Sequence, residues 1–77
     1  MGIFTIWCGE SQEDMELLDE WKGSALYFSS SEKALGWLVE NWRDLEGLWT
    51  GVREYRHVAD LPDEAASIVR ALKGENG

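Results

Sequence analysis

Reactive and basic side chains are scarce in this chain. Its 77 residues include one cysteine, one histidine and one proline, and only 7 Lys or Arg against 15 Asp or Glu. A single cysteine forms no internal disulfide, so a secreted disulfide framework is excluded. One Cys and one His supply no zinc spacing. No glycine-rich phosphate loop or dinucleotide fingerprint is present. Nucleophilic catalysis would have to pair Cys8 with His57, and nothing in their spacing brings them together. The scarcity of cations also argues against direct nucleic-acid binding, which draws its affinity from Lys and Arg set against phosphates.

Long hydrophobic runs are missing as well. The opening "MGIFTIWCGE" has no basic region, and its apolar stretch is too short for a signal peptide or a membrane span. Met1-Gly2 begins as a myristoylation signal does, but Ile6 stands where that signal takes Ser or Thr. The expectation is a soluble, cytoplasmic protein with no membrane partner and no cofactor.

What the chain does have is acid and indole. Its formal net charge is −8, and it carries five tryptophans. A single domain over 1–77 of this size buries only ~60% of its unfolded surface. Each Trp can bury ~150–250 Å², so indoles are first of all a source of core stability. Acidity favours solubility and attracts positively charged surfaces.

Residues 2–9 are β-branched and aromatic and read as a strand. Phe4, Ile6 and Cys8 alternate with Ile3, Thr5 and Trp7. Both sets are apolar enough for a central, covered strand. Residues 10–22 hold six acids and one Lys and read as a short helix or a structured loop ending at Gly23. Residues 24–29 read as a second strand, antiparallel to the first. Ser29 and Glu32 form a capping box for a helix that stops at Gly47. At 100° per residue its apolar stripe is Ala34, Leu35, Leu38, Trp42 and Leu45. Gly36 would admit a close neighbour. Residues 48–58 suit an edge strand with a bulge or bend at Gly51. Asp60 caps a last helix with Pro62 in its first turn. The core stripe of that helix is Leu61, Ala65, Ile68, Val69 and Leu72, and 74–77 is a frayed tail.

The order β, acidic loop or short α, β, α, β, α predicts an α+β fold. The expected form is a small three-stranded sheet, antiparallel or mixed, with two or three helices on one face.

Candidate binding residues follow from the remaining pattern. The carboxylates Glu13, Asp14, Glu16, Asp19 and Glu20 crowd around Trp21. On the helix, Trp37 lies off the apolar stripe beside Glu40, Asn41 and Asp44. Indoles bordered by acids suit anchors for a basic partner, whereas Trp42 belongs to the core on this reading. The acid run lacks the Asp/Asn alternation and mid-loop Gly of an EF-hand, so no metal is expected.

Two functions are in view. One is a non-enzymatic, acidic protein-binding module that docks on a basic surface of a nucleic-acid-handling complex. In composition it fits the small, DNA-mimicking inhibitors that phages direct against bacterial defence, the anti-CRISPR type of viral protein; this is an analogy of composition, and no motif ties the chain to a named family. The other is an accessory subunit that forms a homodimer through exposed aromatics and an edge strand.

Overall fold

The structure is a computed structural model that describes residues 2–74. It is an α+β fold in which the N-terminal strand forms the centre of the sheet. Strand β1 (Ile3–Gly9) pairs antiparallel with β2 (Glu16–Leu18) on one side and with β5 (Trp49–Tyr55) on the other, giving the order β2-β1-β5. The register of β1 with β5 is unbroken from Ile3 opposite Tyr55 to Gly9 opposite Trp49. Thr5 and Ile6 are neighbours on opposite faces of β1, and neither has accessible surface. The strand is therefore covered on both sides, as its two apolar faces require. The Thr5 hydroxyl is satisfied in place: it donates to the Arg53 carbonyl (3.0 Å) and accepts from the Trp7 indole N–H (3.0 Å).

The acidic segment is neither helix nor loop throughout. A single 3-10 turn, Gln12–Asp14, leads into β2. The chain then forms a small hairpin of β3 (Glu20–Trp21) and β4 (Ser24–Ala25). Its turn residues, Lys22 and Gly23, both have positive φ (51° and 87°), as a two-residue type I′ turn demands. The expected second strand over 24–29 contracts to β4 and one antiparallel bridge at Phe28. There Phe28 and Phe4 exchange both backbone hydrogen bonds (2.8 and 2.9 Å). β1 takes β2 instead, because Leu17 and Leu18 come opposite Trp7 and Ile6 and add apolar cross-strand pairs.

Helix α1 (Ser31–Glu40) starts one residue later than expected. The Ser30 hydroxyl caps it by accepting the Lys33 N–H (3.2 Å). It also ends well before Gly47. Asn41 donates both its backbone N–H (3.0 Å) and its side-chain amide (2.9 Å) to the Trp37 carbonyl, and tight turns carry the chain on to β5. Gly36 admits no neighbour, since a Cβ there would meet nothing within 4 Å. Gly51 makes no bulge; it pairs regularly opposite Trp7, and a Cβ there would lie 3.3 Å from Met15 Cε.

The last helix, α2 (Ala66–Leu72), is shorter than expected. Val58–Asp60 and Asp63–Ala65 form separate 3-10 turns, so Asp60 is not its cap. Ala65 and Ile68 are fully buried, as their stripe implied. α1 packs on β1 and β5, and α2 packs on β4. The main core joins Ile6, Leu26 and Ala34, with Phe4, Trp21, Phe28, Trp37 and Val52 packed around them. Among the described residues no helix is long and apolar enough to cross a membrane. Apart from Gly74, the expected frayed tail lies outside the described residues.

Candidate functional site

The carboxylates of the acidic segment divide into two groups. The first lies at the corner where β1 ends. Gly9 is required there, because a Cβ would sit 2.8 Å from Met15 Cα, closer than packed atoms approach. The turn is closed by the Asp14 N–H on the Ser11 carbonyl (3.1 Å) and by the Ser11 hydroxyl on Asp14 Oδ2 (2.9 Å). This close turn gathers Glu10, Glu13, Asp14 and Glu16 around a wide open cleft of about 720 Å³, with Cys8 and Leu48 in its wall. All four carboxylates belong to exposed residues. Burial pushes the Cys8 thiol above its ordinary pKa, and the Glu16 carboxylate adds to the rise. The thiol is therefore kept protonated rather than activated. Among the described residues no group of three or more His, Cys, Asp or Glu is placed to hold a metal ion.

The second group, Asp19 and Glu20, faces the start of α2. Asp19 Oδ2 accepts the Ser67 backbone N–H (3.2 Å), and the Ser67 hydroxyl reaches Glu20 Oε2 (3.5 Å). Asp19 thus satisfies an orphan first-turn amide from 48 residues away, as a capping side chain does. It therefore has a structural role at the start of α2.

The indoles are distributed differently from the expectation. Trp21 and Trp37 meet edge to face, with centroids 5.2 Å apart and planes at 88°. Phe28 leans on Trp37 at 6.3 Å. Both indoles are half-buried and packed against the core. Trp42, expected inside, is 54% exposed, as is Leu35, and Val39 is 71% exposed. For Leu35 and Val39 the reason is the rotational phase of α1; Trp42 lies past the end of the helix, in the turns that lead to β5. Apolar residues cover more than half of the helix circumference, so two phases were available. The observed one turns Trp37 inward because Trp21 and Phe28 offer it aromatic edges. Leu35 and Val39, one turn apart, are left on the outer flank. Glu40 and Asp44 are exposed near the Trp42 end of this flank. Arg43 lies over the Trp42 ring at 5.5 Å.

Leu48 and Trp49 enter the site without having been singled out. Trp49 is 50% exposed and pairs with Gly9, next to the acidic corner. Trp7 is committed inward by its bond to Thr5 and by the Arg53 guanidinium 4.5 Å above its ring. The signal for the outer patch was the excess width of the apolar arc on α1, which exceeds what one buried stripe needs. Comparison with known protein families, with curated proteins and with solved structures found no match to this chain.

Proposed function

We propose that the chain is a non-catalytic binding module that docks on a positively charged protein surface. The observation that carries this reading is the acidic corner: Glu10, Glu13, Asp14 and Glu16 around one cleft, with Leu48 in its wall. Exposed like charges held together by a close turn raise the local negative potential and steer a basic partner toward it. Leu48, in the wall of the cleft, and the exposed Trp49, which pairs with Gly9 at the same corner, supply apolar contact beside the charge, the usual division between the core and rim of an interface. In its sharper form the partner surface is one that holds nucleic acid, and the module is an inhibitor that competes for it. Carboxylates spaced along a turn stand where phosphates would, on Lys and Arg that already face a negative ligand.

The test is affinity capture of partner proteins from cell lysate at low and high salt, with elution by added duplex DNA. The expected result is retention of a basic protein that is released by ~1 M salt, where the Debye length falls to ~3 Å, and also by DNA. A variant with Glu10→Gln, Glu13→Gln, Asp14→Asn and Glu16→Gln together is expected to retain nothing. Undiminished retention by that variant refutes the charge-based reading.

A further inference from the structure

β5 ends the sheet, and its outer edge is open. Which backbone groups lie on that edge follows from the pairing. Phe4 exchanges both of its hydrogen bonds with Phe28, so the even residues of β1 aim their amides away from β5 and the odd residues aim at it. The Arg53 carbonyl, which accepts the Thr5 hydroxyl, points inward accordingly. By antiparallel alternation, Thr50, Val52 and Glu54 turn their N–H and C=O groups outward. Among the described residues none of these groups bonds to another element. The strand has no Pro, no Lys and no bulge, devices that commonly blunt such an edge.

We infer that the open edge of β5 pairs antiparallel with β5 of a second copy of this chain, with Val52 on the two-fold axis. The sequence "WTGVREY" is self-complementary in this register and in no adjacent one. Outward amides meet only in registers that pair even residues with even residues. With Val52 opposite the partner's Val52, Thr50 faces the partner's Glu54 and Arg53 faces Gly51, so no like charges are opposed. Trp49 faces the partner's Tyr55 at both ends, in the closer, non-hydrogen-bonded type of pair where aromatic contacts are strongest. All seven residues are used, with about six inter-strand hydrogen bonds. Sliding by one step of the pattern in one direction sets Arg53 against Arg53. Sliding in the other sets Gly51 against Gly51 and leaves Tyr55 without its aromatic partner.

This inference does not rest on the acidic corner, and salt separates the two. Each copy has a formal charge of −8, so copies repel and added salt strengthens their association. Docking on a basic protein weakens with salt. The experiment is sedimentation equilibrium over a concentration series to millimolar, at low and high salt, with residue-by-residue amide exchange on the same samples. The expected result is a monomer–dimer equilibrium that tightens with salt. Protection at Thr50, Val52 and Glu54 is expected to rise with concentration, while Gly51 and Arg53 stay protected throughout by β1. Trp49→Lys removes both aromatic pairs and is expected to weaken association about tenfold. A monomer at every concentration and salt overturns the inference. So does a dimer in which those three amides exchange freely, or one that Trp49→Lys leaves unchanged.

Discussion

On the inner flank of α1, Trp37 meets the edge of Trp21 and leans on Phe28. On the outer flank, Leu35, Val39 and the nearby Trp42 present a similar apolar volume to water. One stretch of sequence thus carries two apolar surfaces, of which the fold uses only one. The difference lies in what each flank meets. Trp21 is brought across by the hairpin, and among the described residues the outer flank has no such neighbour. On the reading of the chain as a binding module, these exposed apolar residues are where another molecule would make contact.

The sharpest way to break this contrast is Trp37→Ala. Truncating a packed aromatic costs ~3–5 kcal/mol, comparable to the whole stability of ~3–5 kcal/mol expected of a domain this small. Loss of the cooperative urea transition is the expected outcome. Gly9→Ala comes next, since its Cβ would strike the backbone of Asp14 and Met15. A cost of ~1–3 kcal/mol should appear as a lower urea midpoint, together with loss of partner binding. The two acid groups are separated by Asp19→Ala and Glu13→Ala. The first removes an acceptor for the Ser67 N–H and should cost ~1 kcal/mol. The second should leave stability within ~0.5 kcal/mol and act only on partner affinity. On the outer flank, Trp42→Ala should likewise stay within ~0.5 kcal/mol, and Gly36→Ala should raise stability by ~0.5–1 kcal/mol, because its site is open and Ala favours helix.

The smallest effect concerns Cys8. Its pKa is raised by burial and by Glu16, so the folded chain holds the thiol proton more tightly than the unfolded one. Its stability contribution is therefore unchanged below the unfolded thiol pKa and declines as pH rises past it. Alkylation in mildly alkaline buffer should run slower in the folded protein than in urea. Glu16→Gln should speed it modestly, which a thiol-reagent time course would record.

Local pattern carried much of the fold. β1 was legible because both of its faces are apolar, and β5 because its polar mixture suits an edge. Ala65 and Ile68 declared the buried side of the last helix through their spacing. The acidic segment was not legible, since β2 is three residues long and exists only because β1 pairs with it. Lys22-Gly23 is not the Asn-Gly or Asp-Gly signal by which a hairpin is read from sequence, and Lys22 adopts positive φ only as part of the completed turn. The phase of α1 was undecidable locally, because an arc wider than half the helix allows either Trp37 or the flank of Leu35 and Val39 to face inward, and the end of the helix at Glu40, which takes Trp42 off it, is not signalled by a Gly or Pro. The acids at 10–16 were recognised as a cluster, but their separation from Asp19 and Glu20 depends on Ser67, far away in the chain.

The strand that comes first in this sequence is the middle one of the finished sheet. One margin of β1 can be occupied early by β2 and Phe28, but the other waits for β5, which is synthesised well after both. The sheet therefore cannot be laid down in order of synthesis, and a nascent chain stalled before Trp49 displays a bare apolar strand to its surroundings. Such non-local closure is slow relative to helix formation, and a half-built sheet of this kind invites capture by chaperones or by its own neighbours.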